Sequence, residues 1–220
     1  GIIALAAPKV YTPLEEILAA ASAGPYPPFL LGLDGVVDPQ NLGALIRTAE
    51  AMGVDGVIIP ERRAAGLTAA VDRASAGALA YMPVARVTNL ARTLRELKER
   101  DYLVVGADPA AGAWELPEGD RALVLVLGGE GTGLHRLVRE ECDFLVSIPM
   151  YGLVNSLNVG AAGAILMHAL AVRRESALRE GTVFCPLQPW AWFSASRLHG
   201  GAWRSGAIRW CGAPGRLPPW

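Results

Sequence analysis

Short apolar segments alternate along the chain with longer segments of helical period. The apolar segments have the length of β-strands, and they are residues 29–34, 56–60, 83–87, 102–108, 122–128 and 144–149. The remaining segments place apolar residues at helical spacing, which predicts helices over 38–52, 67–77, 89–100, 133–141 and about 155–174. Apolar strands that alternate with helices are typical of a parallel sheet covered on both faces. The pattern therefore predicts an α/β domain.

The last forty residues break this alternation. Residues 181–220 hold five of the six tryptophans and four arginines, and they contain neither Asp nor Glu. One interpretation is a tail that binds single-stranded RNA, because aromatic rings stack on bases and arginine meets phosphate. The other is a non-native or poorly ordered extension. We favour the second, because the composition changes abruptly after an apparently complete domain.

Composition and charge exclude several classes of protein. The chain of 220 residues is 52% hydrophobic and 19% charged, which suits one well-cored domain. It has no apolar run of membrane-spanning length, and its first seven residues lack the basic start of a secretory signal. The three cysteines, at 142, 185 and 211, lack the spacing of a metal site, so we expect no metal and a reducing, cytoplasmic setting. With a net charge of −1, contact with a nucleic acid must come from local arginine patches.

Two polar residues interrupt the otherwise buried pattern of the helix predicted over 38–52. Arg47 lies off the buried stripe of this helix, and Gly43 precedes it by one turn. Helical side chains lean toward the N-terminus, so a glycine at that position would leave a path for the arginine. We predict that Arg47 reaches back to the helix start beside Asn41, near the end of strand 29–34. The alternative is an ordinary surface arginine.

Two further segments combine strand ends with polar residues. LVLGGEGTGL (125–134) runs from a strand into glycines, which allow close backbone approach to a ligand. Glu130 in its middle is either a charge at the start of the next helix or a binding group. SIPMYGLVNSLNVGAAGAILMHAL (147–170) opens a helix rich in small residues, and we expect Asn155 or Ser156 to cap that helix. The three histidines, at 135, 168 and 199, have no partner at triad or metal-ligand spacing.

Three segments in order carry a resemblance to a known family. DPQNLGALIRTAEAMG, LVLGGEGTGL and IPMYGLVNSLNVGAAGAI resemble the ordered motifs of the SpoU (TrmH-like) branch of the SPOUT RNA methyltransferases. The intervening DRASAGALAYMPVARVTNLARTL is similar to the RlmB-type members, which 2′-O-methylate a guanosine in 23S ribosomal RNA. The resemblance covers about residues 26–175. It implies a catalytic domain over 26–178, preceded by a linker remnant (1–25) and followed by the tail (179–220).

The resemblance also implies a fold, a cofactor and a set of site residues. The fold is an α/β knot, a parallel sheet whose C-terminal segment threads through a loop, although general topology rules disfavour knots. The cofactor is S-adenosylmethionine, and a homodimer completes the site. The catalytic residues carried over by motif position are Asn41, Arg47, Glu130, Ser156 and Asn158. The residues around which the cofactor rests on the main chain are Leu127, Gly128, Gly129, Ile148, Met150 and Leu157.

These residue types fit the chemistry of 2′-O-methylation. A ribose 2′-hydroxyl must lose its proton as it attacks the methyl group. Arg47 is either the base or a cation that orients a phosphate-assisted deprotonation, since arginine is normally always charged. Asn41, Ser156 and Asn158 would orient the ribose and Arg47, and Glu130 would pair with Arg47 or hold the RNA. The expected partners are ribosomal RNA and a second copy of the chain, with neither DNA nor a membrane.

Three alternatives to ribosomal RNA methylation stay open on the sequence. One is the same reaction on transfer RNA. Another is a catalytically silent RNA-binding or ribosome-assembly module with the same fold. The third is a nucleotide-binding α/β enzyme that uses the glycines at 128–133, which we disfavour because the segment lacks a P-loop lysine and Rossmann spacing.

Overall fold

The computed structural model describes residues 9–112, 114–153 and 156–181, and these contain a six-stranded parallel sheet. The strand order is β3-β2-β1-β5-β4-β6. The strands are β1 (Phe29–Asp34), β2 (Gly56–Pro60), β3 (Val84–Val87), β4 (Leu103–Ala107), β5 (Leu123–Gly128) and β6 (Phe144–Val146). Each lies within a segment that the apolar pattern predicted, so the parallel α/β sheet is confirmed.

Six α-helices accompany the strands in the described part of the chain. They are α1 (Leu14–Ser22), α2 (Pro39–Ala51), α3 (Ala69–Ala74), α4 (Leu90–Lys98), α5 (Arg136–Glu140) and α6 (Val159–Gly181). Short 3-10 turns follow α3 and β4, at Ala78–Ala80 and Pro109–Ala111. The predicted helix over 67–77 is only six residues long as α3, because Ala76 and Gly77, with φ of 50° and 87°, leave the right-handed helical region. The helix expected from about 155 begins instead at Val159.

The segment predicted as a linker remnant, residues 1–25, contributes to the core. Within it, α1 buries Ile17 and Leu18, and Ile17 packs directly against Gly56 at the start of β2. The linker prediction is therefore wrong for residues 14–22. The linker prediction came from the family resemblance, which begins only at about residue 26 and carries no information on the segment before it. Residues 1–8, Asn155 and the tail after residue 181 lie outside the described residues.

Side chains alternate between the two faces of the central strand β5. Leu125 and Leu127 belong to the core cluster with α2, α3 and α6, whereas Val124 and Val126 belong to the cluster with α1, α4 and α5. Helices therefore cover both faces, as predicted. In the described residues, no helix is long and apolar enough to cross a membrane.

Gly43 has a different role from the one that the sequence predicted. A methyl group at this position would lie 2.8 Å from the carbonyl oxygen of Val71 and 2.9 Å from the amide nitrogen of Ser75. Gly43 thus lets α2 pack against α3, and the space above it is filled by α3. The predicted path of Arg47 over Gly43 is therefore wrong, because sequence spacing alone does not reveal which neighbour occupies the gap.

The small residues at the start of α6 allow this helix to lie close to α2 and β5. A methyl group at Gly163 would approach the side chain of Leu45 and would lie 2.8 Å from Cδ1 of Leu127. Leu166, Met167 and Leu170 follow on the same buried face. The close packing explains why a glycine stands here, although its helix propensity is about 1 kcal/mol below that of alanine. The packing also places the start of α6 at the edge where β5 ends.

A buried arginine anchors the later part of α6. Arg174 donates to the carbonyl oxygen of Gly53 at 2.8 Å and to Oδ2 of Asp55 at 3.0 Å. Its guanidinium carbon lies 5.4 Å from the centre of the Tyr26 ring and 5.9 Å from that of Phe29. Burial raises the pKa of the Asp55 carboxyl, while the Phe29 amide and Arg174 act in the opposite direction.

Replacing Arg174 with methionine is expected to lower the free energy of unfolding by about 3 kcal/mol at pH 7, because a partly buried carboxylate loses its counter-charge. The loss should be smaller at pH 4. A carboxyl whose pKa is raised on folding takes up a proton as the pH falls, and the protonated form needs no counter-charge. Urea unfolding at both pH values measures this. Arg92→Met is the control, since the Arg92 side chain is 76% exposed and its pair with Glu96 contributes little. Equal losses at both pH values would contradict the role of Asp55.

Candidate active site

A cavity of about 380 Å³ lies at the edge of the sheet where the strands end. Ligands of open parallel sheets bind at this edge. The lining includes all six residues predicted to hold a cofactor, which are Leu127, Gly128, Gly129, Ile148, Met150 and Leu157. Two predicted catalytic residues, Glu130 and Ser156, also line it. The predicted cofactor residues thus meet in one place, although they come from segments about twenty residues apart.

The glycines after β5 form a tight loop, and the backbone conformation of this loop requires glycine. The amide of Gly129 donates to the main-chain oxygen of Asp34 at 2.7 Å, which joins the loop to the end of β1. The amide of Gly133 donates back to Gly129 at 3.0 Å. Gly131 and Gly133 have φ of 82° and 63°, a region that residues with a Cβ rarely adopt. The turn leaves Glu130 exposed beside the cavity.

Asn158 connects two other predicted catalytic residues, Asn41 and Glu130. Its amide nitrogen donates to Oδ1 of Asn41 at 3.0 Å and to Oε1 of Glu130 at 2.8 Å. Its amide oxygen accepts from the backbone of Gly160 at 2.9 Å, which makes it the N-cap of α6. The first turn of α2, the glycine loop and the start of α6 therefore meet at one side chain.

These hydrogen bonds show which residue caps α6 and which groups of the Asn158 side chain are already occupied. We expected Asn155 or Ser156 to cap α6, but the helix begins later and Asn158 is the cap, so that prediction is wrong for Ser156, while Asn155 lies outside the described residues. A carboxamide has two N–H donors and one oxygen. Both donors and the oxygen of Asn158 are already bonded within the protein. The Asn158 side chain therefore joins Asn41 and Glu130, and this geometry does not support the predicted direct bond from it to the ribose.

Arg47 stands apart from the network. It is exposed, and among the described residues it has neither a hydrogen bond nor an ion pair, so the predicted pair between Arg47 and Glu130 is absent. Its helix nevertheless borders the site. Ala44, one turn before Arg47, lies within contact distance of Gly160 at the start of α6. The long arginine side chain thus has no partner in the described part of the chain, and it belongs to a helix that packs beside the start of α6.

Two groups of residues at this edge were not predicted from the sequence. Ala107, which ends β4, and Asp108 and Pro109, which follow it, also line the cavity. The ligand rule for parallel sheets could have found them, since 102–108 was a predicted strand. The second group is Asp34 with His135, whose carboxylate and ring nitrogen lie 2.9 Å apart. No spacing rule joins residues that are 101 positions apart in the chain.

Comparison with known proteins decides the family. The model of the SpoU rRNA Methylase family matches residues 28–168. The chain belongs to this family. YacO of Bacillus subtilis, assigned by name to the TrmH family of tRNA/rRNA methyltransferases, is 48% identical over 175 residues, which are 79% of this chain and 70% of YacO. A relative of the same family name from Staphylococcus haemolyticus is 45% identical over 176 residues, with the same coverage.

Solved SpoU structures agree with this assignment. The SpoU methyltransferase AviRb from Streptomyces viridochromogenes, in complex with AdoMet, has a TM-score of 0.67 and 26% identity, over 76% of this chain and 66% of AviRb. An AdoMet-bound rRNA methyltransferase from Sinorhizobium meliloti has a TM-score of 0.66 and 30% identity, over 75% and 61%. This chain thus spans about two thirds of the solved chains. The predicted SPOUT fold is confirmed, as is S-adenosylmethionine (AdoMet) as the cofactor of this family of RNA methyltransferases.

Proposed function

We propose that this SpoU family member transfers a methyl group from S-adenosylmethionine to a ribose 2′-hydroxyl of RNA, with a guanosine of 23S ribosomal RNA as the target. The observation that carries the proposal is the contact of Asn158 with both Asn41 and Glu130, of which Glu130 lines the cavity. A protein that had lost catalysis would have no need to keep these polar groups together. This argues against a silent RNA-binding module. An RNA substrate of this kind places the protein in the cytoplasm.

The cavity suits S-adenosylmethionine in size and in chemistry. Its volume of about 380 Å³ falls in the range of small-molecule sites, which is about 300–1,000 Å³. Leu127, Val146 and Leu166 provide apolar walls for a flat ring, and the glycine loop exposes main-chain groups without side chains. When bound, the cofactor supplies a methyl group on a positively charged sulfur. An apolar, water-poor wall suits a transfer in which that charge disappears.

The chain's own residues would act on the ribose. Asn158 donates to the side-chain oxygen of Asn41. The two N–H groups of the Asn41 side chain would then donate to the substrate. Glu130 uses one carboxylate oxygen on Asn158 and keeps the other. The Arg47 side chain is exposed and has no partner among the residues that the structure describes, which suits a cation that meets an RNA phosphate and the ribose oxygen together. Ser156 lies at the cavity wall, where its hydroxyl would orient the ribose. Most of the rate would come from this positioning.

We further propose that two copies of the chain associate through α6. The exposed face of this helix carries Ala161, Ile165, His168 and Val172, whose spacings of four, three and four residues form a continuous stripe. Ile165 and Val172 are 41% and 47% exposed, which is unusual for large aliphatic residues at this spacing. The stripe lies on the same helix that Asn158 caps, and it begins three residues after Asn158. A partner bound there would therefore lie beside Arg47 and the cavity mouth.

Replacing Ile165 with glutamate is expected to convert a dimer into a monomer, because the charge would be buried without a partner at the interface. Sedimentation equilibrium measures the mass of the variant in solution. Methyl transfer by the variant should fall as the dimer is lost. Leu137→Glu is the matched control, since Leu137 is 56% exposed on α5 on the opposite side of the sheet. A monomeric wild-type protein, or an unchanged mass for the variant, would contradict the proposed interface.

A tritiated-methyl transfer assay tests the proposed activity and substrate. The protein is incubated with labelled S-adenosylmethionine and, in parallel, with ribosomal RNA and with transfer RNA, since the relatives are named for both substrates. We expect label in 23S ribosomal RNA. Label in transfer RNA alone would replace the proposed substrate, and tight binding of both ligands without any transfer would support the silent module instead.

A further inference from the structure

We propose that Arg63 binds an RNA phosphate beside the active site, and that His135 and Asp34 hold its guanidinium in place. The inference rests on the proposed action on RNA and adds a substrate-binding residue that lies outside the three family motifs. Arg63 belongs to the loop between β2 and α3. His135 precedes α5, and Asp34 ends β1. The three residues are therefore brought together only by the fold.

The hydrogen bonds between the three residues determine the protonation of the histidine. Nη1 of Arg63 lies 3.2 Å from Nε2 of His135, and Nδ1 of His135 lies 2.9 Å from Oδ1 of Asp34. Arginine can only donate, so Nε2 must accept and the ring is neutral. Its single proton is then on Nδ1, where it is donated to Asp34. The chain of donors thus runs in one direction, from the guanidinium to the buried carboxylate.

Asp34 fixes the histidine at two points. Its second oxygen, Oδ2, accepts from the backbone amide of His135 at 2.7 Å. The Asp34 side chain is 8% exposed and that of His135 is 37% exposed, so the ring extends from the buried carboxylate toward the surface. Both the position and the tautomer of the ring are set by the carboxylate, as in other Asp–His pairs. Arg63 therefore meets an acceptor that two hydrogen bonds to Asp34 hold in position.

The backbone of Arg63 supports a specific placement. Its φ of 61° lies in the left-handed region, which is unfavourable for a residue with a Cβ. A hydrogen bond also joins this loop to the segment after β1, since the amide of Ala65 donates to the carbonyl oxygen of Val36 at 2.9 Å. Strain of this kind persists where the surrounding structure requires it, often at functional sites. Here it directs an arginine toward a residue 72 positions away in the chain.

The chemistry of the exposed end of Arg63 indicates an anionic ligand. Among the described residues, no carboxylate lies within 4 Å of its guanidinium, and the bond to His135 uses one of five N–H donors. The cluster also adjoins the site. A methyl group at Gly35 would lie 3.3 Å from Cε1 of His135 and 3.9 Å from the amide of Gly129, which precedes Glu130. An arginine that presents several donors at a fixed point beside the reacting ribose suits a backbone phosphate.

Three single variants and one double variant of the full chain test the assignment. Arg63→Ala removes the phosphate contact, and Arg62→Ala removes an adjacent exposed arginine that has no such support. His135→Asn keeps a donor close enough for Asp34 but ends short of Arg63. The measurements are the KM and kcat for methyl transfer to ribosomal RNA, the Kd for RNA at several salt concentrations, and the Kd for S-adenosylmethionine.

We expect Arg63→Ala to raise the KM for RNA about tenfold and to reduce the salt slope of RNA binding by about one, while kcat and cofactor affinity stay within about twofold. Arg62→Ala should change KM less than about twofold. His135→Asn should raise KM about threefold, and Arg63→Ala/His135→Asn should equal Arg63→Ala alone, because the histidine acts through the arginine.

Two results would overturn the assignment. Equal effects of Arg62→Ala and Arg63→Ala would reduce Arg63 to general surface charge, and additive effects in the double variant would remove the role of His135. These outcomes are separable from failure of the proposed function. If the wild-type protein transfers no methyl group, the RNA affinities and salt slopes still report on Arg63. If it transfers normally in all variants, only the Arg63 assignment fails.

Discussion

Replacing Arg47 with alanine is expected to lower methyl transfer to RNA by about 10³-fold, while the Kd for S-adenosylmethionine and the melting temperature stay unchanged. Arg47 is exposed and makes no hydrogen bond or ion pair among the described residues, so the fold does not depend on it. Removing a group that stabilises developing charge in a transition state costs about 10²–10³ in rate, and loss of the phosphate contact would add to this. The measurements are single-turnover transfer and calorimetric titration of the cofactor.

Arg92→Ala provides the matched control for Arg47. Arg92 is also a helical arginine, but it lies on α4, on the opposite face of the sheet from α2. Its replacement should leave transfer unchanged. A drop of less than about tenfold for Arg47→Ala would show that Arg47 is an ordinary surface arginine, which is the alternative that the sequence left open.

Replacing Asn158 with aspartate is expected to lower methyl transfer by about 10- to 100-fold with little loss of stability. Aspartate still caps α6, because its oxygen accepts from Gly160 as the asparagine does. It cannot donate to Asn41 or Glu130, and it brings a second negative charge next to Glu130, whose oxygen lies 2.8 Å from the present amide nitrogen. A hydrogen bond to a charged group contributes about 1.5–3 kcal/mol, which corresponds to that range of rate.

Two further variants separate the cap of α6 from the network. Asn158→Ala removes both, so we expect it to lose about 1 kcal/mol of stability in addition to the activity. Glu130→Gln combined with Asn158→Asp restores a donor opposite an acceptor, since the glutamine amide can donate to the new carboxylate. Transfer by the double variant should exceed that of Asn158→Asp alone. If Asn158→Asp is as active as the wild type, the network has no part in catalysis.

Much of the fold follows from periodicity along the chain. The strand segment 29–34 was predicted at its observed bounds, because a run of apolar residues between turn signals leaves few alternatives. The helix start at Pro39 followed from the Asp-Pro pair, in which the carboxylate of Asp38 does accept from the backbone of Gln40. The role of α1 was missed. Its nine residues bury only three side chains, a signal too short to distinguish a packed helix from a connector.

The candidate site was predictable only where local signals coincide with the family motifs. The glycine loop and its glutamate could be placed at a strand end from the sequence alone. The function of Asn158 as both cap and junction could not, because it depends on Asn41, which lies 117 positions earlier. The same holds for Gly43, whose neighbour is α3 and not Arg47. Contacts between distant segments depend on how helices pack, and a single sequence does not record that.

We expect the chain to methylate a ribose 2′-hydroxyl of RNA at the cavity that Glu130 lines, where Asn158 joins Glu130 to Asn41. The most direct measurement is chromatography of nucleosides from ribosomal RNA that the protein has labelled with tritiated S-adenosylmethionine. We expect the label to elute with a single 2′-O-methylated nucleoside, 2′-O-methylguanosine, and we expect Arg47→Ala to remove it. Label on a base, or no label in any RNA, would contradict the account.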